Sequence, residues 1–584
     1  MKRTKTLRRR AIVMAAIALC TGAQTYASAA DTKTVNGVML NKSILLMKSG
    51  DLDTLTATLL PTGTQGDVRW YSDDTSIATV SGGIVTAVSN GTATVAAETA
   101  DGTYKAACTI NVSDEGADAR SGMPGMGGGN MPPRGGQGGP GGPGQGGDAP
   151  GMGQGGQGGM PPTGGQGFER GQGGQGGPGQ GGMPGGRRPG GGGNQSDDSD
   201  ATDANAYVLT EGEASITDAT YSSSTTDANA VKVSGGTLTI TDCTLTKVGG
   251  DSSNPDGSSF YGTNAGVLAR KGGKAIINGG SISTDAVGAN GIVAYGGEVE
   301  VSGTTINCKN RLSRGIHATG GGTITARDLT VNTQERNSSV IALDRGGGTV
   351  TVIGGSYNCA GEDCAVMYST GDLTVNNITG SSEKGEIGVI EGNNIIAINN
   401  SDLTSHATAA SRGLMILQSG SGDAGEGLNG IITVAGGSLT MTDSGASLIE
   451  IVTNVTGKVT LDGVKTTIPS GILMTVDYNK RWRTYGATGV LILSGSGTTY
   501  EGSIVADEYS MAEVTVNSGV EWKGAYDKDD TAKTTSLTLN GGTWTLTADS
   551  HVDNITLNGN AVINKNGHTL ACDNINNVSG TVND

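Results

Sequence analysis

From about residue 205 onward the chain repeats itself, and the length of the repeat decides what it can fold into. A short apolar strand followed by a Gly-rich turn recurs at Val267-Leu268-Ala269, Ile292-Val293-Ala294, Ile316-His317-Ala318, Ile341-Ala342-Leu343, Val366-Met367-Tyr368 and Val389-Ile390-Glu391. The leading residues stand 25, 24, 25, 25 and 23 positions apart. A fixed period of this size marks a solenoid, in which each repeat buries its apolar face only by stacking on its neighbours.

Each repeat holds three strands. A second alternating strand follows the glycines, with inward pairs Ala275/Ile277, Val299/Val301, Ile324/Ala326, Val350/Val352, Leu373/Val375 and Ile396/Ile398. A two-residue corner comes next: Asn278-Gly279, Ser302-Gly303, Ile353-Gly354, Asn376-Asn377 or Asn399-Asn400. Gly and Asn enter the left-handed backbone region at low cost, which a sharp corner needs. The third strand supplies another inward residue: Ile282, Ile306, Val331, Tyr357 or Leu403. Three short strands per coil predict a right-handed parallel β-helix over 205–584. Leucine-rich repeats are the runner-up, and they fail because no repeat has room for a helix. Coils spaced ~4.8 Å apart make about 13–15 coils a rod of roughly 65–75 Å. Residues 251–262 read as an insertion between coils.

The composition fits thin coils. Aromatic residues make up only 3% of the chain, so inner columns must be filled by small aliphatic layers. Glycine totals 103, of which 37 fall within 121–194 together with 11 of the 14 prolines. Strict Gly-X-Y periodicity is absent, which removes collagen. A segment so poor in apolar residues cannot offset chain entropy, so 114–204 is expected to be a disordered linker.

Residues 33–113 alternate differently. Thr54, Thr56 and Thr58 interleave with Leu55, Ala57 and Leu59 in a period-2 pattern. Pro61, Trp70, Thr75–Val80, Gly83–Ala87, Gly91–Ala97 and Cys108–Val112 then follow in order. These segments resemble the group 2 bacterial immunoglobulin-like domains, which implies a small β-sandwich of the kind used as stalks and spacers in surface adhesins. The texture of 205–584, including Leu537–Thr547, resembles the β-helices of secreted adhesin-like and autotransporter passenger proteins. A C-terminal barrel strand is not evident, which argues against a true autotransporter. The fold class expected is therefore all-β: an Ig-like sandwich, a Gly/Pro-rich linker and a parallel β-helix.

Residues 1–30 read as a secretion signal. Lys2, Arg3, Lys5, Arg8, Arg9 and Arg10 precede the apolar run Ala11–Leu19, and Ala27-Ser28-Ala29 offers a cleavage site. Cleavage would remove six positive charges, taking the formal charge from −17 to −23. A chain so acidic is expected to avoid nucleic acid and anionic membranes. No later segment is apolar enough to span a bilayer, so a secreted or cell-surface location is expected.

Catalytic signatures of β-helix pectin hydrolases and pectate lyases do not occur, and no cofactor or metal is expected. The best local cluster is Arg311, Arg314, His317, Asp344 and Arg345, which the period brings onto neighbouring coils. Its functional reading is an acidic-sugar or carboxylate site with Arg as a forked donor; the plainer reading is a solvated ridge of ion pairs. Glu391 and Glu450 interrupt apolar strands, and an outward bulge is expected at each. Trp482, Tyr485 and Trp522 are the candidates for stacking on a sugar, or for loop anchors. Cys359 and Cys364 either close a small disulfide loop or are two buried thiols. Cys308 and Cys359 fall two coils apart, beyond disulfide reach. The function expected is a non-catalytic adhesin-like protein binding a surface glycan or cell-wall polymer. The alternatives are a polysaccharide lyase or hydrolase and a structural spacer.

Overall fold

The computed structural model describes residues 35–112 and 204–584, apart from 36, 41–43, 61–63, 65, 408–411, 419–428, 453 and 479–485. The signal and linker segments, with Pro61, Trp482 and Tyr485, lie outside the described residues.

Residues 37–112 form a small sandwich. Ile44–Met47, Lys105–Val112, Gly91–Thr99 and Val68–Ser72 make a four-stranded sheet, faced by Leu52–Thr54, Ile84–Ala87 and Ala78–Ser81. The predicted alternation places Leu55 and Leu59 in the core with Val38, Val85, Val95 and Ile110, and leaves Leu52 exposed.

The rest is a parallel β-helix. One wall is a 12-stranded parallel sheet running from Tyr207–Leu209 to Ser503–Ala506. A 23-stranded sheet folds around two further sides of each coil. The predicted inward ladder holds: Ala275, Val299, Ile324, Val350, Leu373 and Ile396 are partners in register, and all are buried. The second residue of each predicted corner has positive φ: Gly279, Gly303, Gly354, Asn377 and Asn400. At Gly355 (φ 95°) a Cβ would come within 2.3 Å of the Leu329 carbonyl oxygen, so the corner backbone of one coil rests directly on the last.

Two expectations need correction. Ile341 pairs with Met367, not Val366, and Met367 pairs with Gly388. The spacings there are therefore 26 and 21 (367 − 341 and 388 − 367). The residue just before each strand (Val340, Val366, Ile387) also reaches the core, and two consecutive apolar residues hide the strand's parity. Secondly, the three-strand coil does not persist to the end. Beyond Ser503–Ala506 the 12-stranded wall stops, and a five-stranded sheet from Thr499–Glu501 to Gly580–Asn583 continues another side. Dropping a strand shortens the repeat, so Leu537 pairs with Ile555 and Ile555 with Ile575.

The insertion contains a short helix, Pro255–Tyr261. It packs over the outside of the 12-stranded sheet.

Candidate functional site

Successive side chains of a strand point to opposite faces. With Ile316 and Ala318 in the core, His317 and Thr319 face outward. Register stacks His317, Ala342, Tyr368, Val389, Met415 and Glu450 into one outward column. Glu450 therefore needs no bulge: it pairs in unbroken register with Met415 and Thr475, and Glu391 pairs with Leu417. What the sequence did not disclose is that this outward face is itself shielded, since Glu450 is only 3% exposed.

Four of the five predicted cluster residues meet at the helix: Arg314, His317 and Asp344 are covered, and Arg345 stays exposed at its rim. Arg314 Nη2 donates to Asp344 Oδ2 at 2.9 Å, with both side chains largely buried. Arg314 Nη1 donates to Ser259 Oγ at 3.0 Å, and Thr319 Oγ1 donates to the Phe260 carbonyl at 3.1 Å. The Arg345 guanidinium lies 3.8 Å above the Phe260 ring, a cation–π contact. His317 is fully buried, and neither ring nitrogen has a hydrogen-bond partner among the described residues. Arg311 stays exposed at the turn and is not part of the cluster. The result is neither an open carboxylate site nor a fully solvated ridge: the insertion covers Arg314, His317 and Asp344 and leaves Arg345 at the edge.

Burial, and secondly the Arg314 charge, hold the His317 imidazole well below its ordinary pKa. The unfolded chain takes up the proton near pH 6.5 and the folded chain does not. Stability from this site is thus complete above pH 6.5 and falls below it by up to about 1.4 kcal/mol per pH unit. His317→Phe should remove that component, read as the difference in urea midpoints between pH 7.5 and pH 5. An unchanged difference would mean that the ring is solvated.

Further along the same face one guanidinium pairs with one carboxylate and lies within electrostatic reach of two others. Arg412 Nη2 donates to Glu450 Oε1 at 2.7 Å, and the Arg412 charge also acts on Glu386 and Asp477. Burial pushes Glu386 up to about 7 and Asp477 up to about 6, with Arg412 opposing both. None of these except Glu450 stood out in the sequence, because Glu386, Arg412 and Asp477 fall in turns or at strand ends.

An open groove of about 550 Å³ runs across four coils at a glycine-rich corner. Its lining includes Gly272, Gly296 and Gly321 beside Thr237, Lys274, Glu298 and Thr323. Lys274 pairs with Glu298 at 2.7 Å and with Glu300 at 2.5 Å.

The remaining candidates are structural. Cys359 and Cys364 are free buried thiols, not a disulfide. Cys359 Sγ donates to the Cys364 carbonyl at 3.6 Å, while Cys364 Sγ donates to the Glu335 and Glu362 carbonyls at 3.2 Å. The two sulfurs are thus engaged with different backbone acceptors. Trp522 offers no surface to a sugar: it is fully buried and stacks on Trp544 at 5.2 Å. Among the described residues no helix is long and apolar enough to cross a membrane.

Comparison with known proteins places a family on the first domain and finds a partial relative for the chain. The family model of the bacterial Ig-like domain (group 2) matches residues 34–110. The BrkA autotransporter of Bordetella pertussis (strain Tohama I / ATCC BAA-589 / NCTC 13251) is 25% identical over 301 residues. That alignment covers 50% of this chain but only 26% of the relative. Residues 34–110 are thus a group 2 bacterial immunoglobulin-like domain, carried on a chain whose parallel β-helix architecture accompanies partial similarity to an autotransporter.

Proposed function

We propose that this is an exported, surface-acting, adhesin-like protein that binds a glycan or cell-wall polymer along its β-helix. The observation that carries the reading is the glycine-lined groove. It crosses successive coils, so it runs along the rod, and its walls are polar and charged rather than aromatic. Main-chain polar groups brought close to the surface by absent side chains suit an extended polymer rich in hydroxyl groups. The Ig-like domain and the partial likeness to an autotransporter support a surface setting. The test is retention on a glycan array and on isolated cell walls. Thr323→Trp, which fills the groove from an exposed position, is expected to lower retention at least ~10-fold with folding intact. Equal retention by the variant, or none by either protein, rejects the reading.

A second reading, a polysaccharide hydrolase or lyase, is favoured by Glu386 and Asp477. Carboxyls held near neutrality by burial are suited to general acid catalysis. In the same samples, reducing-end and unsaturated-product assays with and without calcium separate it from the first.

A further inference from the structure

The sandwich has an uncovered strand edge. Lys105–Val112 is flanked on both sides at its C-terminal end, by Ile44–Met47 and by Gly91–Thr99. At its N-terminal end, residues 105–107, Gly91–Thr99 is the one strand paired with it among the described residues. Bare edges of this kind invite strand addition.

That edge rests on a corner ridge of the β-helix. Asn400 Oδ1 accepts the Lys105 N–H at 2.8 Å, and Asn400 Nδ2 donates to the Lys105 carbonyl, so one side-chain amide imitates a paired strand. Asn399 Oδ1 accepts the Ala107 N–H at 3.2 Å, while its Nδ2 donates to Asn376 of the previous coil. Two coils further on, Asp462 accepts the Tyr71 hydroxyl at 3.0 Å and pairs with Lys105 Nζ at 3.4 Å. Ala96, Ala107 and Ala435 close a small apolar contact between the two bodies. Opposite charges also meet there: Asp73 of the sandwich and Lys458 of the solenoid attract one another, and both are drawn out of water.

We propose that the ridge Asn399–Asn400–Ala435–Asp462 is a specific seat for the chain's own Ig-like domain. The domain is a docked head that hides its strand edge, and the segment 113–203 connects two parts already in contact. The seat is written into particular coils. Most positions equivalent to Asn400 are glycine (Gly279, Gly303, Gly354, Gly436), with Asp242, Asp328 and Asn377 among the exceptions, and Ser302 and Ser494 share the register of Asp462. Asn400→Gly and Asp462→Ser therefore change the seat while giving the solenoid residues that its other coils already use.

The test is made on the full chain with a protease site placed within 113–203 and cut after folding. The two pieces are expected to co-elute on gel filtration at micromolar concentration. The double variant Asn400→Gly/Asp462→Ser is expected to weaken their association ~100-fold, given the loss of charge-assisted bonds, with thermal unfolding of each piece unchanged. Hydrogen exchange supplies the second reading: amides of Lys105 and Ala107 should be protected in the uncut native chain and exposed in the variant. Separation of the native pieces, or co-elution and protection unaltered in the variant, overturns the proposal.

Discussion

Trp522→Ala is expected to cost about 3–5 kcal/mol, the range for removing a large buried ring, and to unfold the C-terminal coils before the rest. The interior where the third wall ends is filled by rings. Tyr500, Trp522, Trp544 and Ile563 form one inward column. Trp522 and Trp544 stack at 5.2 Å with an interplanar angle of 7°, and Tyr526 meets Trp522 edge-on at 5.8 Å. Both indoles are anchored: Trp522 Nε1 donates to the Gly502 carbonyl at 2.9 Å and Trp544 Nε1 to Gly524 at 3.0 Å. Removing Trp522 therefore leaves a cavity and an unpaired carbonyl, with no third wall to collapse inward. A solenoid couples each coil mainly to its neighbours, so the damage should stay local. Limited proteolysis during a urea titration should release the region beyond residue 506 first. Loss of the whole rod in one step would show that the coils act as a single cooperative unit.

Asp344→Ala should be comparably severe. It leaves the Arg314 guanidinium in a largely buried place without its partner, and breaking a buried pair from one side costs about 3–5 kcal/mol. Removing both charges, as in Arg314→Met/Asp344→Leu, should cost much less, because no uncompensated ion remains. The helix reports the same event, since Arg314 holds Ser259. Hydrogen exchange across 258–262 should therefore rise in Asp344→Ala. If single and double variants unfold at the same urea concentration, the pair contributes nothing and the seal rests on Phe260 and Thr319.

The rod was readable because two simple periods are superposed on it. Alternation within strands assigned Val299, Val301 and Ile306 to the interior, and repetition every 24 or so residues assigned their neighbours above and below. The corners were equally plain, because a positive φ leaves few residue choices. The parity error at Val366 arose where two adjacent residues both reach the core and alternation carries no information. The site was less legible. The period brought Arg314, His317 and Asp344 together, but it could not say that a helix from the insertion closes over them. Ion-pair chemistry looks the same in sequence whether water reaches it or not. Cys359 and Cys364 show the same limit, since five residues of separation permit a disulfide and only the direction of each sulfur decides against it.

By itself, then, the sequence determined the architecture: a repeating backbone with aliphatic inner columns, glycine and asparagine corners, and a separate short-stranded domain before it. Those are local and periodic properties, and each repeat restates them. Tertiary structure alone decided which outward residues are shielded, where the coil loses its third wall, and how the Ig-like domain sits. Lys105 and Asn400 are 295 positions apart, and no period links them. Their contact depends on the three-dimensional placement of one unpaired strand edge against one ridge of amides, which satisfies hydrogen-bonding groups that each half alone would leave to water.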